Sequence, residues 1–167
     1  VNTPIERLRE VFTPQIEDNI RIAGEGLTGK YGVGIGTSLV ANDKSSAAKI
    51  KAYAASASEA RMSGCTLPVI TNSGSGNQGI AASIPVIVYA REHGITGDKL
   101  YRALALSNLL TIYQKTFIGR LSAFCGAVSA AAASGGAITY LAGGDLSQIK
   151  MTHVNALANV SGIVCDG

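Results

Sequence analysis

Apolar positions in this chain recur at helical spacing far more often than they alternate. Ile5, Leu8, Val11 and Phe12 fall on one helical face. Ahead of them, Thr3 reads as a cap, Pro4 as the first helical residue and Glu6 as the partner in a capping box. Pro14 predicts a kink or break. The helix is expected to resume over 15–22 and to end at Gly24 and Gly26. Residues 24–38 are rich in glycine, which fits either a loop or a helix packed unusually close to a neighbour.

The Ala-rich stretch 45–62 reads as a helix with Ile50 and Tyr53 on one side, and 63–79, with Pro68 and a Gly/Ser run, as a turn or broken helix. A helix is expected over 79–93, closed by Gly94. Another is expected over 98–117, where Leu100, Leu104, Leu106, Leu109, Leu110 and Tyr113 cover more than one face and predict extensive burial. Residues 121–142 read as a small-residue helix, with an interruption at Gly135-Gly136 and a stop at Gly143-Gly144. Asp145 and Gln148 then form a cap for a last helix over 146–160. The β-leaning pieces, Val69-Ile70 and 85–88, are short. The pattern predicts an all-α fold: one domain over 1–167, a compact bundle of Ala/Gly-rich helices around a buried central helix.

Composition sharpens this picture. Hydrophobic residues make up 47%, charged residues 15% and aromatics 5%, with no Trp, so the core has to come from close backbone approach rather than large side chains. The net charge is +3 with no long basic run, which argues against a nucleic-acid partner. No charge lies between Arg61 and Arg91, or between Arg120 and Asp145. The second stretch is long enough for a bilayer. Its Ser, Thr and Gly content favours a helix wrapped by other helices, so no membrane span is expected. Three cysteines and no visible secretory leader point to a reducing, cytoplasmic setting. The start at Val1 and the stop just after Cys165 read as a piece of a longer chain. The Gly/Ala-rich helices suit close packing within one chain or in a homo-oligomer, and both stay open.

Two features carry candidate chemistry. The run Asn72-Ser73-Gly74-Ser75-Gly76-Asn77-Gln78 alternates small residues with hydroxyls and amides. Such a run lets several backbone N–H groups converge on one carboxylate or phosphate, helped by a helix opening just after it. It lacks the phosphate-loop ending and the dinucleotide fingerprint, and an ordinary turn explains it as well. Cys125 and Cys165 sit in small-residue, glycine-flanked contexts; each is either a buried small hydrophobe or a thiolate ligand. Cys65 reads as structural, and His93 as a helix-end residue. Lys115 and His153 are weak candidates for acid/base work.

Several segments together resemble a known family. These are the segment from Arg61 to Ile80, with Leu67-Pro68-Val69-Ile70-Thr71-Asn72-Ser73-Gly74-Ser75-Gly76-Asn77-Gln78-Gly79-Ile80, then Arg102-Ala103-Leu104-Ala105-Leu106-Ser107-Asn108-Leu109, Ile118-Gly119-Arg120-Leu121-Ser122-Ala123-Phe124-Cys125-Gly126-Ala127 and Val160-Ser161-Gly162-Ile163-Val164-Cys165-Asp166-Gly167. In this order they resemble the iron–sulfur L-serine dehydratase α-chain and L-cysteine desulfidase family, and are more similar to its desulfidase branch.

The resemblance implies a helical domain of a 4Fe–4S lyase that converts a small amino acid, L-cysteine or L-serine, to pyruvate and ammonia, with sulfide released from cysteine. It implies that Cys125 and Cys165 are two cluster ligands and that further ligating cysteine lies outside this chain, leaving the cluster incomplete in the piece alone. It also implies that the 71–79 run holds the substrate carboxylate through Ser73, Ser75 and Asn77. The alternative is a non-catalytic helical module that binds an anion or metabolite.

Overall fold

The computed structural model describes residues 3–119, 122 and 124–160. These form helices α1 (Ile5–Gly26), α2 (Ile35–Asn42), α3 (Ser46–Met62), α4 (Gly76–Glu92), α5 (Asp98–Ile118), α6 (Gly126–Leu141) and α7 (Leu146–Val160), with no strand among the described residues. The fold is all-α.

The buried centre is α4. It packs on α1, α3, α5 and α6. One face of α4 meets Phe12 of α1, Ala103 and Leu104 of α5, and Ala137 and Leu141 of α6 through Val86, Ile87 and Ala90. The other meets Ile22 and Ala23 of α1 and Ala57 and Ala60 of α3 through Ile80, Ile84 and Val88. Burying a helix on two sides removes the need for a polar face, which is why 80–90 contains no charge. Alanine supplies much of the interior, so the helix axes approach closely. Gly26 and Gly36 extend this: a Cβ at either would run into Ser56 of α3.

Several helix boundaries agree with the sequence pattern. Ser45 caps α3, its Oγ accepting from Ala48 N at 3.1 Å. At the start of α7, Gln148 N donates to Asp145 Oδ1 at 2.8 Å and Asp145 N to Gln148 Oε1 at 2.9 Å, a reciprocal capping box.

Other expectations are corrected. Pro14 does not break α1, which runs unbroken for 22 residues. An interior proline costs about 3 kcal/mol, but Phe12, Gln15 and Asn19 on either side of it are buried against the bundle and hold the helix in line. Thr3 does not cap; the N-cap position falls on Pro4, whose φ of −56° and ψ of 140° turn the chain into the helix without a side-chain bond.

Residues 85–88, β-leaning in isolation, lie inside α4, where burial overrides propensity. That helix opens at Gly76 rather than Gly79. α6 passes through Gly135-Gly136 uninterrupted, with Leu110 of α5 and Ile149 of α7 packed beside Gly136. α5 is less buried than its leucines predict: Ala103, Leu104, Ser107, Asn108, Thr111 and Gln114 face inward, while Leu109, Ile112, Tyr113 and Phe117 are exposed. Among the described residues, no helix is long and apolar enough to cross a membrane.

Candidate functional site

The Gly/Ser run forms a tight turn that delivers the chain into α4. Asn72 N donates to Ser75 O at 3.1 Å and Ser75 N to Asn72 O at 3.0 Å. The two residues between them have positive φ, 49° at Ser73 and 80° at Gly74, as a type I′ turn requires. Ser75 is the N-cap, with Oγ accepting from Gln78 N at 3.3 Å. The N–H groups of the first turn of α4 have no intrahelical acceptor and carry the positive end of the helix dipole. Ser73, Gly74 and Ser75 are exposed, whereas Asn72, Gly76, Gln78 and Gly79 are buried. The turn therefore shows its hydroxyls to solvent and keeps two amides inside.

Those amides belong to a buried chain of carboxamides. Gln78 Nε2 donates to Asn72 Oδ1 at 2.9 Å. Asn72 Nδ2 donates to Asn108 Oδ1 of α5 at 2.9 Å. Asn108 Nδ2 donates to Gln15 Oε1 of α1 at 3.0 Å, and Gln15 Nε2 returns a bond to Asn108 Oδ1 at 3.2 Å. One turn further along α1, Asn19 accepts from Ile70 N at 2.8 Å and donates to Ser83 Oγ at 2.8 Å. The strand-like approach 69–72 is thus tied to α1, α4 and α5 by groups whose hydrogen bonds close on one another. Backbone contact completes the clamp, since a Cβ on Gly79 would collide with Ile70 O.

Two further groups flank the turn. Arg61, at the end of α3, donates from Nη1 to Asn77 Oδ1 at 3.2 Å. Its guanidinium lies over Gly76 so closely that a Cβ there would overlap Nε. An exposed cation is thus placed beside a helix N-terminus and two serine hydroxyls, an arrangement suited to a carboxylate. On the other side, Gly126 packs against Gln78 Oε1, with no room for a Cβ. The residue before it, Cys125, is the N-cap of α6 and is exposed. The structure thus brings the α6 N-terminus, with its cysteine, against the buried edge of the turn.

Cys165 lies outside the described residues, so its relation to Cys125 and to the turn is not described. Cys65, in the α3–α4 connection, is half-buried; hydrogen bonding with it is the first cause that holds the Tyr31 phenol above its ordinary value. Lys115 is half-buried in the last turn of α5. His153 is half-buried on α7, with Nδ1 enclosed and without a hydrogen-bond partner among the described residues. Both of those helices pack on α6, and neither side chain bonds to the turn in any described contact. His93 stacks on Tyr89 with ring centroids 4.0 Å apart at the end of α4, a structural placement.

The sequence reading assigned no role to Arg61, Asn108, Gln15 or Asn19, although Arg61 and Asn108 lie within the segments that carry the family resemblance. Arg61 could have been noticed as the last charge before a long charge-free run that contains the turn. The three amides gave no local signal beyond being polar residues at inward-facing helical positions.

The model of the serine dehydratase alpha chain family matches residues 1–167. The chain belongs to the serine dehydratase alpha chain family. It is 54% identical over 164 residues to a UPF0597 protein of Lachnoclostridium phytofermentans, covering 98% of this chain and 39% of that protein. It is 50% identical over 170 residues to a UPF0597 protein of Treponema denticola and 55% identical over 166 residues to one of Desulfitobacterium hafniense, covering 39% and 38% of those proteins. The chain thus spans about two fifths of the length of these curated relatives. No solved structure matches it.

The iron–sulfur cluster associated with serine dehydratases needs several thiolates. Among the described residues, no three His, Cys, Asp or Glu side chains come together. Cys125 is an exposed free thiol at the N-cap of α6, a side chain whose chemistry suits a thiolate ligand. The described residues do not supply a complete set.

Proposed function

We propose that this chain is part of an amino-acid β-eliminating lyase whose substrate carboxylate binds at the 73–77 turn. The observation that carries this reading is the juxtaposition of Arg61, Ser73, Ser75 and the N-terminus of α4, in a chain of the serine dehydratase family. Substrates are small amino acids, L-serine or L-cysteine, going to pyruvate and ammonia.

The residues divide into two roles. Arg61 and the first-turn N–H groups supply fixed positive charge. Ser75 Oγ, which accepts from Gln78 N, keeps its own proton to donate. Ser73 Oγ donates to Asn72 Oδ1 at 2.9 Å and is free to swing to a ligand, because Gln78 Nε2 still serves that oxygen. Asn77 aims the guanidinium. Asn72 and Gln78 position the turn from inside and do not themselves reach the substrate.

Cys125 and Cys165 are proposed as two thiolates of a 4Fe–4S cluster, with the remaining ligand outside this chain. When bound, such a cluster supplies a Lewis-acidic iron that makes the β-hydroxyl or β-thiol a better leaving group. Lys115 and His153 remain the candidates to take the α-proton, both on helices flanking α6.

The test is anaerobic assay of the full-length protein for pyruvate from L-serine and from L-cysteine. Removing one charge-assisted contact costs about 1.5–3 kcal/mol, so Arg61→Gln should raise KM roughly 10- to 150-fold while leaving kcat nearly unchanged. Ser73→Ala should act in the same direction by a smaller factor. Pyruvate formation with an unmoved KM in both variants would reject the carboxylate site. Ligand binding without pyruvate would reject the lyase and leave a non-catalytic binding module.

A further inference from the structure

A cavity of about 370 Å³ lies where the end of α1, the α2–α3 connection, the start of α3 and the last turns of α4 come together. Its size is that of a pocket for a small metabolite. One part of its wall is apolar: Leu27, Val40 and Tyr53 are half-buried and Val88 is buried. The rest is charged, with Lys44, Lys49 and Arg91 facing it alongside Asp43 and Glu92. Arg91 is separated from the Gly/Ser turn by most of the length of α4, about 22 Å along the helix axis. The cavity is therefore a place distinct from the candidate substrate site.

The charges in the wall are not all engaged alike. Both carboxylates are occupied: Glu92 Oε2 accepts from Lys49 Nζ at 2.7 Å, and Asp43 accepts from Ser45 N at 2.8 Å and from Ser45 Oγ at 2.9 Å. The cations have capacity left. Lys44 Nζ donates to Val40 O and Lys49 Nζ to Glu92, so each ammonium keeps two of its three donors. The exposed Arg91 guanidinium has no side-chain partner among the described residues. Three cations against two carboxylates leave one net positive charge beside an apolar wall.

We propose that this cavity binds a small monocarboxylate with an apolar body. The carboxylate pairs with Arg91, whose planar fork matches two carboxylate oxygens, and the spare donors of Lys44 and Lys49 add to the same field. The apolar body lies against Leu27, Val40, Tyr53 and Val88. The charge balance selects the head group. One negative charge neutralises the lining, whereas a phosphate brings close to two and sets the excess beside Asp43 and Glu92. The inference does not rest on the lyase reading.

The test titrates phenylacetate into the full-length protein carrying isotope-labelled leucine and valine methyl groups, followed by NMR. The expected result is saturable shifts at the Leu27, Val40 and Val88 methyls. Arg91→Gln should raise the dissociation constant about tenfold, the lower end of what a charge-assisted contact contributes. Its melting temperature should match the parent's, since Arg91 is exposed. Arg61→Gln should leave the dissociation constant unmoved, and phenyl phosphate and the uncharged benzyl alcohol should both bind more weakly than phenylacetate. No shift at these methyls with millimolar phenylacetate, or equal binding by the folded Arg91→Gln protein, would overturn the proposal. Loss of the shifts in Arg61→Gln would place the probe at the turn and overturn it as well. Tighter binding of phenyl phosphate or benzyl alcohol would overturn the choice of a monocarboxylate.

Discussion

Asn108→Leu is the sharpest probe of how the turn is held. Asn108 of α5 joins α1 and the turn: its Oδ1 accepts from Asn72 Nδ2 at 2.9 Å and Gln15 Nε2 at 3.2 Å, and its Nδ2 donates to Gln15 Oε1 at 3.0 Å. Leucine keeps the bulk and deletes all three bonds, along with the 2.9 Å bond from Asn108 Nδ2 to Leu104 O. Asn72 Nδ2 retains a longer bond to the Asn108 backbone carbonyl, 3.3 Å. Gln15, only 2% exposed, loses the partners of both amide atoms. Two buried groups left unpaired at about 1–3 kcal/mol each give a loss of about 2–6 kcal/mol. At about 4 kcal/mol, the melting temperature of a chain this size falls by roughly 8–16 °C. Removing Gln15 as well removes the orphaned groups, so Gln15→Leu combined with Asn108→Leu should cost less than the sum of the singles. The expected coupling is about 1–3 kcal/mol. Urea denaturation of the four proteins, followed by circular dichroism, measures this. A single-variant loss below about 1 kcal/mol, or simple additivity, would refute the view that this amide chain supports the turn.

Gly79→Ala should destabilise by about 1–3 kcal/mol or more, because the new methyl has to displace the Ile70 carbonyl; a melting temperature equal to the parent's would contradict the clamp. Glu59 gives a pH prediction. Burial opposes its ionisation, but the backbone N–H groups of residues 33–36 hold its carboxyl below the ordinary 4.5. Because the folded value is the lower one, the contribution to stability is present above 4.5 and is lost as pH falls through the folded value. Glu59→Gln should therefore lower the urea midpoint at neutral pH, with the gap to the parent closing in acid; a gap independent of pH would exclude the effect. For the site itself, the Arg61→Gln and Ser73→Ala kinetics described above should separate KM from kcat, measured as initial rates of pyruvate formation.

How much could be read beforehand depended on range. α3, α5 and α7 were placed nearly to the residue because their signals are local: Ser45 before an alanine run, and Asp145 with Gln148 across one turn. The Gly/Ser run was legible as a turn because positive φ at residues 73–74 is a property of those few residues. What failed depended on distant parts of the chain. Pro14 is tolerated because of packing that involves α4 and α5. The exposure of Phe117 reflects where α6 lies, and Arg61 reaches Asn77 across 16 positions of sequence. Asn108 is bonded to a residue 93 positions away, a relation that hydropathy spacing does not encode.

The carboxamides behind the turn have one more consequence. Gln15, Asn19, Asn72, Gln78 and Asn108 neither gain nor lose a proton anywhere in the biological range. A foundation built of such groups is indifferent to acidity, as one assembled from histidines or carboxylates would not be. An activity profile across neutral pH would then report the reacting groups and the substrate's own amine, and not the collapse of their support.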